Sequence, residues 1–424
     1  MSTQHASRVL LLLAIFCSAG AARAQDAPVT AQLQQALDNY LAQRGGTESI
    51  SGVSLYISLG DPGPAIEVFS GNNGRRDQTP IDGDTLFQIG SNTKHFESAV
   101  ILKLEAEGKL NINQTIGYWL PEYPAWSSVT IRQLLNMTSP IPTYSETVTI
   151  GEAIATDIHH QFTKRQLIEA VDPSHGSELP VPSGFFYSNT NNIIAALIIQ
   201  KASGRSFKQW LEQVIFPSVG LHSTYYSEGP YPNNVLDRLP RGVYENRECL
   251  LYQPMPCQES ILTPLIGRDM STGNLSWAGA AGAIISNPRD LTKWIRALFG
   301  GKVIPRQQLD EMMTVVSQHT GQPVPSATPD DPFAFGLDLA QAYNADAGGT
   351  FWFYEGSTLG FRAIFAYWPQ FNLVMTTATN SQPPAGEDQL GSQVLFGAFD
   401  ILSKAGMITA TPTGPANLPG GDPD

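Results

Sequence analysis

The segment Thr85-Leu86-Phe87-Gln88-Ile89-Gly90-Ser91-Asn92-Thr93-Lys94 joins a β-like run to a helical one. Beyond it, Phe96, Ala99, Val100 and Leu104 fall on one helical face, and Gly108 supplies the stop. Ser91 and Lys94 stand three residues apart at the head of that helix, so they share a face and the amine can reach the hydroxyl. A helix N-terminus favours negative charge developing there. A partly desolvated lysine gives up its proton readily enough to act as a base toward serine. This is the one S-x-x-K of the chain. Such a pair also occurs on ordinary surface helices, so its meaning depends on the residues set around it.

Outward from this point, the flanks are β-rich. A helix is expected over 31–41, where Leu33, Ala36, Leu37, Tyr40 and Leu41 recur at helical spacing. Ser51–Ser58 and Ala65–Phe69 read as a hairpin around the turn formers 60–64. Near the other end, Phe351–Tyr354, Arg362–Trp368 and Leu373–Thr379 read as strands. Gly356 and Gly360 are expected to break the first from the second. Helices are expected at Asn191–Ala202, Asp290–Phe299 and Val394–Ala405. Strands at both ends with a helical block between them predict an α+β fold. One antiparallel sheet is built from both chain ends (about 25–110 and 290–408) and flanked by helices, with an inserted mainly helical part over about 110–290.

Composition narrows the function. The chain has 424 residues, 42% hydrophobic, 9% aromatic and 15% charged. It is too apolar for a disordered chain, and its glycines have no collagen-like period. With 25 Lys+Arg against 38 Asp+Glu the net charge is −13, which disfavours nucleic acid as a partner. Arg8, the apolar Val9–Phe16 and Ala22-Arg23-Ala24 have the layout of a secretory leader cleaved after Ala24, with no stable membrane anchor. A secreted or periplasmic protein is therefore expected. Cys17 would leave with the leader, and Cys249 and Cys257 are expected to form a disulfide in an oxidising compartment. The tail over 409–424 reads as disordered.

Neither G-x-S-x-G nor H-E-x-x-H occurs, and His159-His160 has no carboxylate at metal-ligand spacing, so no metal site is expected. Three Y-x-N triplets occur, at Tyr187, Tyr231 and Tyr244. Only Tyr187-Ser188-Asn189 lies between a turn (182–184) and an apolar helix that would hold it rigidly. Tyr187 suits a proton shuttle, and the Asn189 amide suits a substrate carbonyl. The same residues also suit a buried tyrosine and a helix cap. Tyr354-Glu355-Gly356-Ser357 follows as a third element. Its glycine lets substrate backbone lie against the strand, and the main-chain N–H groups of Ser91 and Ser357 suit an oxyanion hole.

Together these residues resemble the serine β-lactamase and penicillin-binding family, in its class C-like and D,D-peptidase-like branch. The likeness runs from about residue 30 to 402. Leu134-Leu135-Asn136-Met137-Thr138-Ser139 resembles its L-L-x-x-T-S-G segment, and residues 186–191 resemble its Y-S-N-T-N run. Ala281–Ser286 followed by Asp290-Leu291 resembles A-G-G-L-x-S-x-x-x-D-L, and Gly356–Arg362 is similar to G-G-T-x-G-F-R. The resemblance implies an acyl-enzyme on Ser91, with Lys94 and Tyr187 as base and shuttle and Asn189 binding substrate. The implied substrates are small molecules or peptides, namely β-lactams or D-amino acid peptides, and no cofactor is needed.

Two positions depart from the family. Its K-T-G or H-x-G becomes Tyr354-Glu355-Gly356, which removes a cation and adds a carboxylate. Pro140 replaces a glycine beside the site. Arg362 is the cation expected to compensate, if strand register brings it to the site. The departures leave open an esterase or aminopeptidase acting on neutral or cationic substrates, and a binding protein that kept the fold.

Overall fold

A computed structural model describes residues 28–246, 261–382 and 391–409. The leader, the Cys249–Cys257 pair and all but the first residue of the tail lie outside the described residues. A helix over 28–48 (α1) leads into β1 (Gly52–Leu59) and β2 (Ala65–Gly71). Helix α2 (Lys94–Ala106) leads into the helical block, which holds α3 (Asn189–Ser203), and α4 (Pro288–Phe299) returns the chain to the sheet. There follow β3 (Val315–Ser317), β4 (Pro323–Val324), β5 (Phe333–Phe335), β6 (Ala340–Asn344), β7 (Gly349–Ser357), β8 (Arg362–Trp368), β9 (Leu373–Thr379) and α5 (Ser392–Lys404).

The fold is α+β. Among the described residues nine strands form one antiparallel sheet in the order β2-β1-β9-β8-β7-β6-β5-β3-β4. The first and last thirds of the chain meet where β1 pairs with β9, Val53 opposite Thr379 and Leu59 opposite Leu373. Side chains of β8 alternate between two cores. Ala363, Phe365 and Tyr367 enter the larger core on the side of the helical block; Ile364, Ala366 and Trp368 enter a second core closed by α1 and α5. Every residue of β8 and β9 is buried. That explains their continuous rather than alternating apolar character.

Two features differ from expectation. Gly356 lies inside β7 rather than ending it, and β3 to β6 add four short strands before β7. Beyond Phe353, β7 is paired only with β8, because its pairing with β6 runs from Gly349 to Phe353. The last four residues of β7 therefore keep one free edge among the described residues, and the site forms there. Helix α2 is fixed behind that edge. Its Phe96 stacks on Trp294 of α4 at 4.0 Å between ring centroids, and Trp294 Nε1 donates to His95 Nδ1 at 2.8 Å.

Candidate active site

Ser91 sits on a single 3-10 turn, Gly90–Thr93, that runs directly into α2. The turn touches β7 because two glycines face each other. A Cβ on Gly356 would lie 2.0 Å from the Ile89 carbonyl oxygen and 2.5 Å from Ser91 N. Gly90, at φ +52°, would place a Cβ 2.6 Å from Ser357 N. No larger residue fits between the two backbones. The contact brings the main-chain nitrogens of Ser91 and Ser357 to one wall of the cleft, the arrangement an oxyanion hole requires. Side chains lock the turn. Asn92 Nδ2 donates to the Ile89 and Ala363 carbonyls at 3.0 Å each. Thr93 Oγ1 donates to the Gly90 carbonyl at 2.8 Å and accepts from Ile284 N at 3.0 Å.

Side chains on a helix lean toward its N-terminus, so Lys94 reaches back over the turn. Its Nζ lies 3.0 Å from Ser91 Oγ, 2.8 Å from Asn189 Oδ1 and 2.7 Å from the Ala281 carbonyl oxygen. The side chain has no solvent exposure. Burial lowers its pKa from the ordinary lysine value to about 7, while the negative charges of Asp338 and Glu97 oppose that fall. In the neutral amine two N–H bonds serve Asn189 and Ala281, and the lone pair faces the Ser91 hydroxyl. The Asn189 amide is committed within the protein, since its Nδ2 donates to Ser145 Oγ at 3.0 Å. It orients Lys94 as well as bordering the cleft.

Behind Lys94 lies a buried acidic group with no counterpart in the sequence reading. Asp338 Oδ2 accepts from Ser98 Oγ at 2.6 Å and from Asn192 Nδ2 at 3.2 Å; Asn192 Nδ2 also lies 2.8 Å from Glu97 Oε2. Burial pushes both carboxyl pKa values up, and for Glu97 the nearby Asp338 adds to this. Glu97 follows Lys94 by three residues, so an acid on a helix with buried flanks was the available signal. Asp338 arrives from the β5–β6 connection, and nothing local marks it. Asp338 is a positioning residue for Lys94 charge. Asp338→Asn removes a negative charge that favours protonated Lys94. The acid limb of the kcat/KM profile should therefore move to lower pH in that variant, with KM little changed. A profile identical to wild type would remove Asp338 from the account.

Tyr187 presents its ring to the cleft, 36% exposed, with the Lys94 ammonium position 4.9 Å from the ring centre. Its hydroxyl is hydrogen-bonded with Ser91 and accepts from Tyr354 Oη at 3.4 Å. Burial raises the Tyr187 pKa, and these hydrogen bonds oppose the rise only in part. The phenol is therefore neutral at rest, and of the two groups on Ser91 it is Lys94 that is tuned to accept a proton. Tyr354, fully buried, sets a neutral hydroxyl against Tyr187. Glu355, Gly356 and Ser357 line a cavity of about 480 Å³ that opens beside Ser91 and Tyr187.

Arg362 does not reach the cleft. It has the same strand parity as Ile364 and so points to the core closed by α1. There it is 1% exposed, with NH2 2.7 Å from Glu48 Oε2 and 2.9 Å from Tyr40 Oη, and Nε 2.8 Å from Thr379 Oγ1. It is a structural cation, and no substrate-binding role is left for it. The loop that carries Pro140 is tied to the start of α3. Ser139 Oγ donates to Asn191 Oδ1 at 2.7 Å, and Thr190 Oγ1 donates to the Pro142 carbonyl at 2.7 Å. The other Y-x-N tyrosines, Tyr231 and Tyr244, are buried. Among the described residues no group of three or more His, Cys, Asp or Glu is placed to hold a metal ion.

A model of the Beta-lactamase family matches residues 37–398. The chain is 33% identical over 150 residues to penicillin-binding protein 4* of Bacillus subtilis, covering 35% of this chain and 32% of that one. It is 26% identical over 298 residues to the putative penicillin-binding protein PbpX of the same organism, covering 69% and 64%. The matches thus span less than two thirds of either relative's length. Among solved structures, a D-stereospecific amidohydrolase from Streptomyces superposes with TM-score 0.67 at 25% identity, covering 87% of this chain and 98% of that one. A class C beta-lactamase mutant superposes with TM-score 0.63 over 89% and 97% at 17% identity, a likeness of fold alone.

Proposed function

Since the chain belongs to the beta-lactamase family, we propose that it is an exported serine hydrolase that forms an acyl-enzyme on Ser91, with D-amino acid amides and peptides as its substrates. One observation carries the reading: the Ser91 hydroxyl lies 3.0 Å from a fully buried amine whose pKa is brought down to about 7. An ordinary surface lysine has no reason to be so placed. Neutral Lys94 takes the hydroxyl proton as Ser91 Oγ bonds to the substrate carbonyl carbon. The main-chain N–H groups of Ser91 and Ser357 receive the negative charge that collects on the carbonyl oxygen. The Tyr187 hydroxyl, on the same Oγ, hands a proton to the leaving nitrogen as the C–N bond breaks, and the proton held by Lys94 restores it. Water then cleaves the ester by the same route in reverse.

The amidohydrolase likeness supports amides of D-amino acids. β-Lactams rank second, because the carboxylate they carry meets a strand that here bears Glu355 in place of a lysine-bearing motif. Export rests on the residues before Gln25, and among the described residues no helix is long and apolar enough to cross a membrane. Intact-mass measurement after treatment with a fluorophosphonate should show one adduct per chain, mapped to the peptide holding Ser91. No adduct with fluorophosphonate, ester or lactam would sink the proposal.

A further inference from the structure

Glu355 stands out among the groups bordering the cleft. The residue is half-buried on the cavity wall; its Oε2 is shut off from solvent without a hydrogen-bond partner, and no Lys, Arg or His pairs with it among the described residues. A carboxyl group so placed is costly unless something else completes it. Burial raises its pKa to about 7, so at neutral pH it is poised to ionise once a cation arrives. Lys94 is not that cation, because its three contacts are Ser91, Asn189 and Ala281.

The surroundings of Glu355 are aromatic. The small Ala340 lies directly between Phe335 of β5 and Phe353 of β7 in the sheet, which leaves a depression walled by two rings. Phe185 meets Phe335 at 5.3 Å between centroids, and Phe335 meets Tyr354 at 5.8 Å and Tyr187 at 6.5 Å. The wall thus runs unbroken to the proposed shuttle. Phe333, half exposed, stands at the mouth. A volume of about 480 Å³ suits a small ligand with one ring. Ring faces also favour an ammonium ion over an anion.

We propose that Glu355 receives a substrate ammonium group, so that the enzyme selects acyl donors with a free amine and an aromatic side chain and rejects those with a carboxylate. The proposal rests on the Ser91 acyl-enzyme reading. It inverts the charge preference that a cation at the strand's third motif provides. The amine and the ring sit in the depression while the acyl carbon reaches Ser91 at its rim.

Three amides with the same leaving group test it: D-phenylalanine amide, its N-acetyl derivative and its N-succinyl derivative, followed by ammonia release at pH 7.5. The expected kcat/KM falls by about tenfold from the cationic to the neutral amide and by about 100-fold or more to the anionic one. In Glu355→Gln the cationic-to-neutral ratio should fall to near one, and in Glu355→Lys the anionic amide should overtake the cationic one. Equal kcat/KM across the wild-type series overturns the proposal, as does a preference that persists in Glu355→Gln. Fluorophosphonate labelling separates the two levels. A labelled Ser91 with no turnover of any of the three amides overturns the amine assignment alone, whereas an unlabelled Ser91 overturns the acyl-enzyme reading together with it.

Discussion

Lys94→Ala is expected to lower kcat for any acyl donor by roughly 10²–10⁴-fold, the range for loss of a positioned general base. The variant should fold, because the substitution removes a buried amine rather than adding bulk; the unchanged far-ultraviolet circular dichroism spectrum is the control. In the wild type the same chemistry sets a pH dependence. The working form is the neutral amine, which is populated as pH rises through the Lys94 pKa. Burial has brought that pKa down to about 7, so kcat/KM should climb along an acid limb near neutrality and level above it. A lysine in water would place the limb more than three units higher, near its ordinary value of about 10.4. A limb at that alkaline position, or a Lys94→Ala variant within a few-fold of wild type, would falsify the assignment of Lys94 as base.

Arg362→Met is expected to cost about 3 kcal/mol of folding stability, the lower end of what removing one partner of a buried ion pair costs. The lower end applies because Glu48 keeps a second cation: Arg44 NH2 lies 2.5 Å from Glu48 Oε1. The urea midpoint should fall accordingly with an unchanged slope. Arg362→Met combined with Glu48→Met should recover part of the loss, since the orphaned charge goes with it. KM for anionic and neutral substrates should stay the same in the single variant. A raised KM for anionic substrates with no fall in stability would return Arg362 to the cleft.

The parity of Arg362 shows what kind of information a sequence withholds. Its strand, Arg362–Trp368, is legible from aromatic and apolar residues bounded by turns, and its neighbour Leu373–Thr379 likewise. Which side chain faces which core is not legible there, because both faces of β8 are buried and the pattern does not alternate. The Ser91–Lys94 pair was readable because both residues sit within one helical turn, where geometry is local. Tyr187 was readable from its frame between a turn and a buried helix. Asp338 was not, since it meets Lys94 only through the packing of a connection about 240 residues downstream. Strands of two to five residues, such as Pro323–Val324 and Ala340–Asn344, offer too few positions for a period. Gly356 was legible as a small residue, but the reason for its size is the Ile89 carbonyl at the head of the nucleophile turn, which abuts it.

The contact between that glycine and the nucleophile turn also makes the site depend on two segments far apart in the chain. Ser91 and Lys94 lie far upstream of Ser357, which completes the wall, and of Leu373–Thr379, the strand that pairs with β1. Without that downstream segment the serine and the amine keep Asn189 and Ala281 but lack the main-chain N–H of Ser357. Hydrolytic competence thus depends on both segments at once, and a fragment ending before Gly356 should take up no acyl group at all.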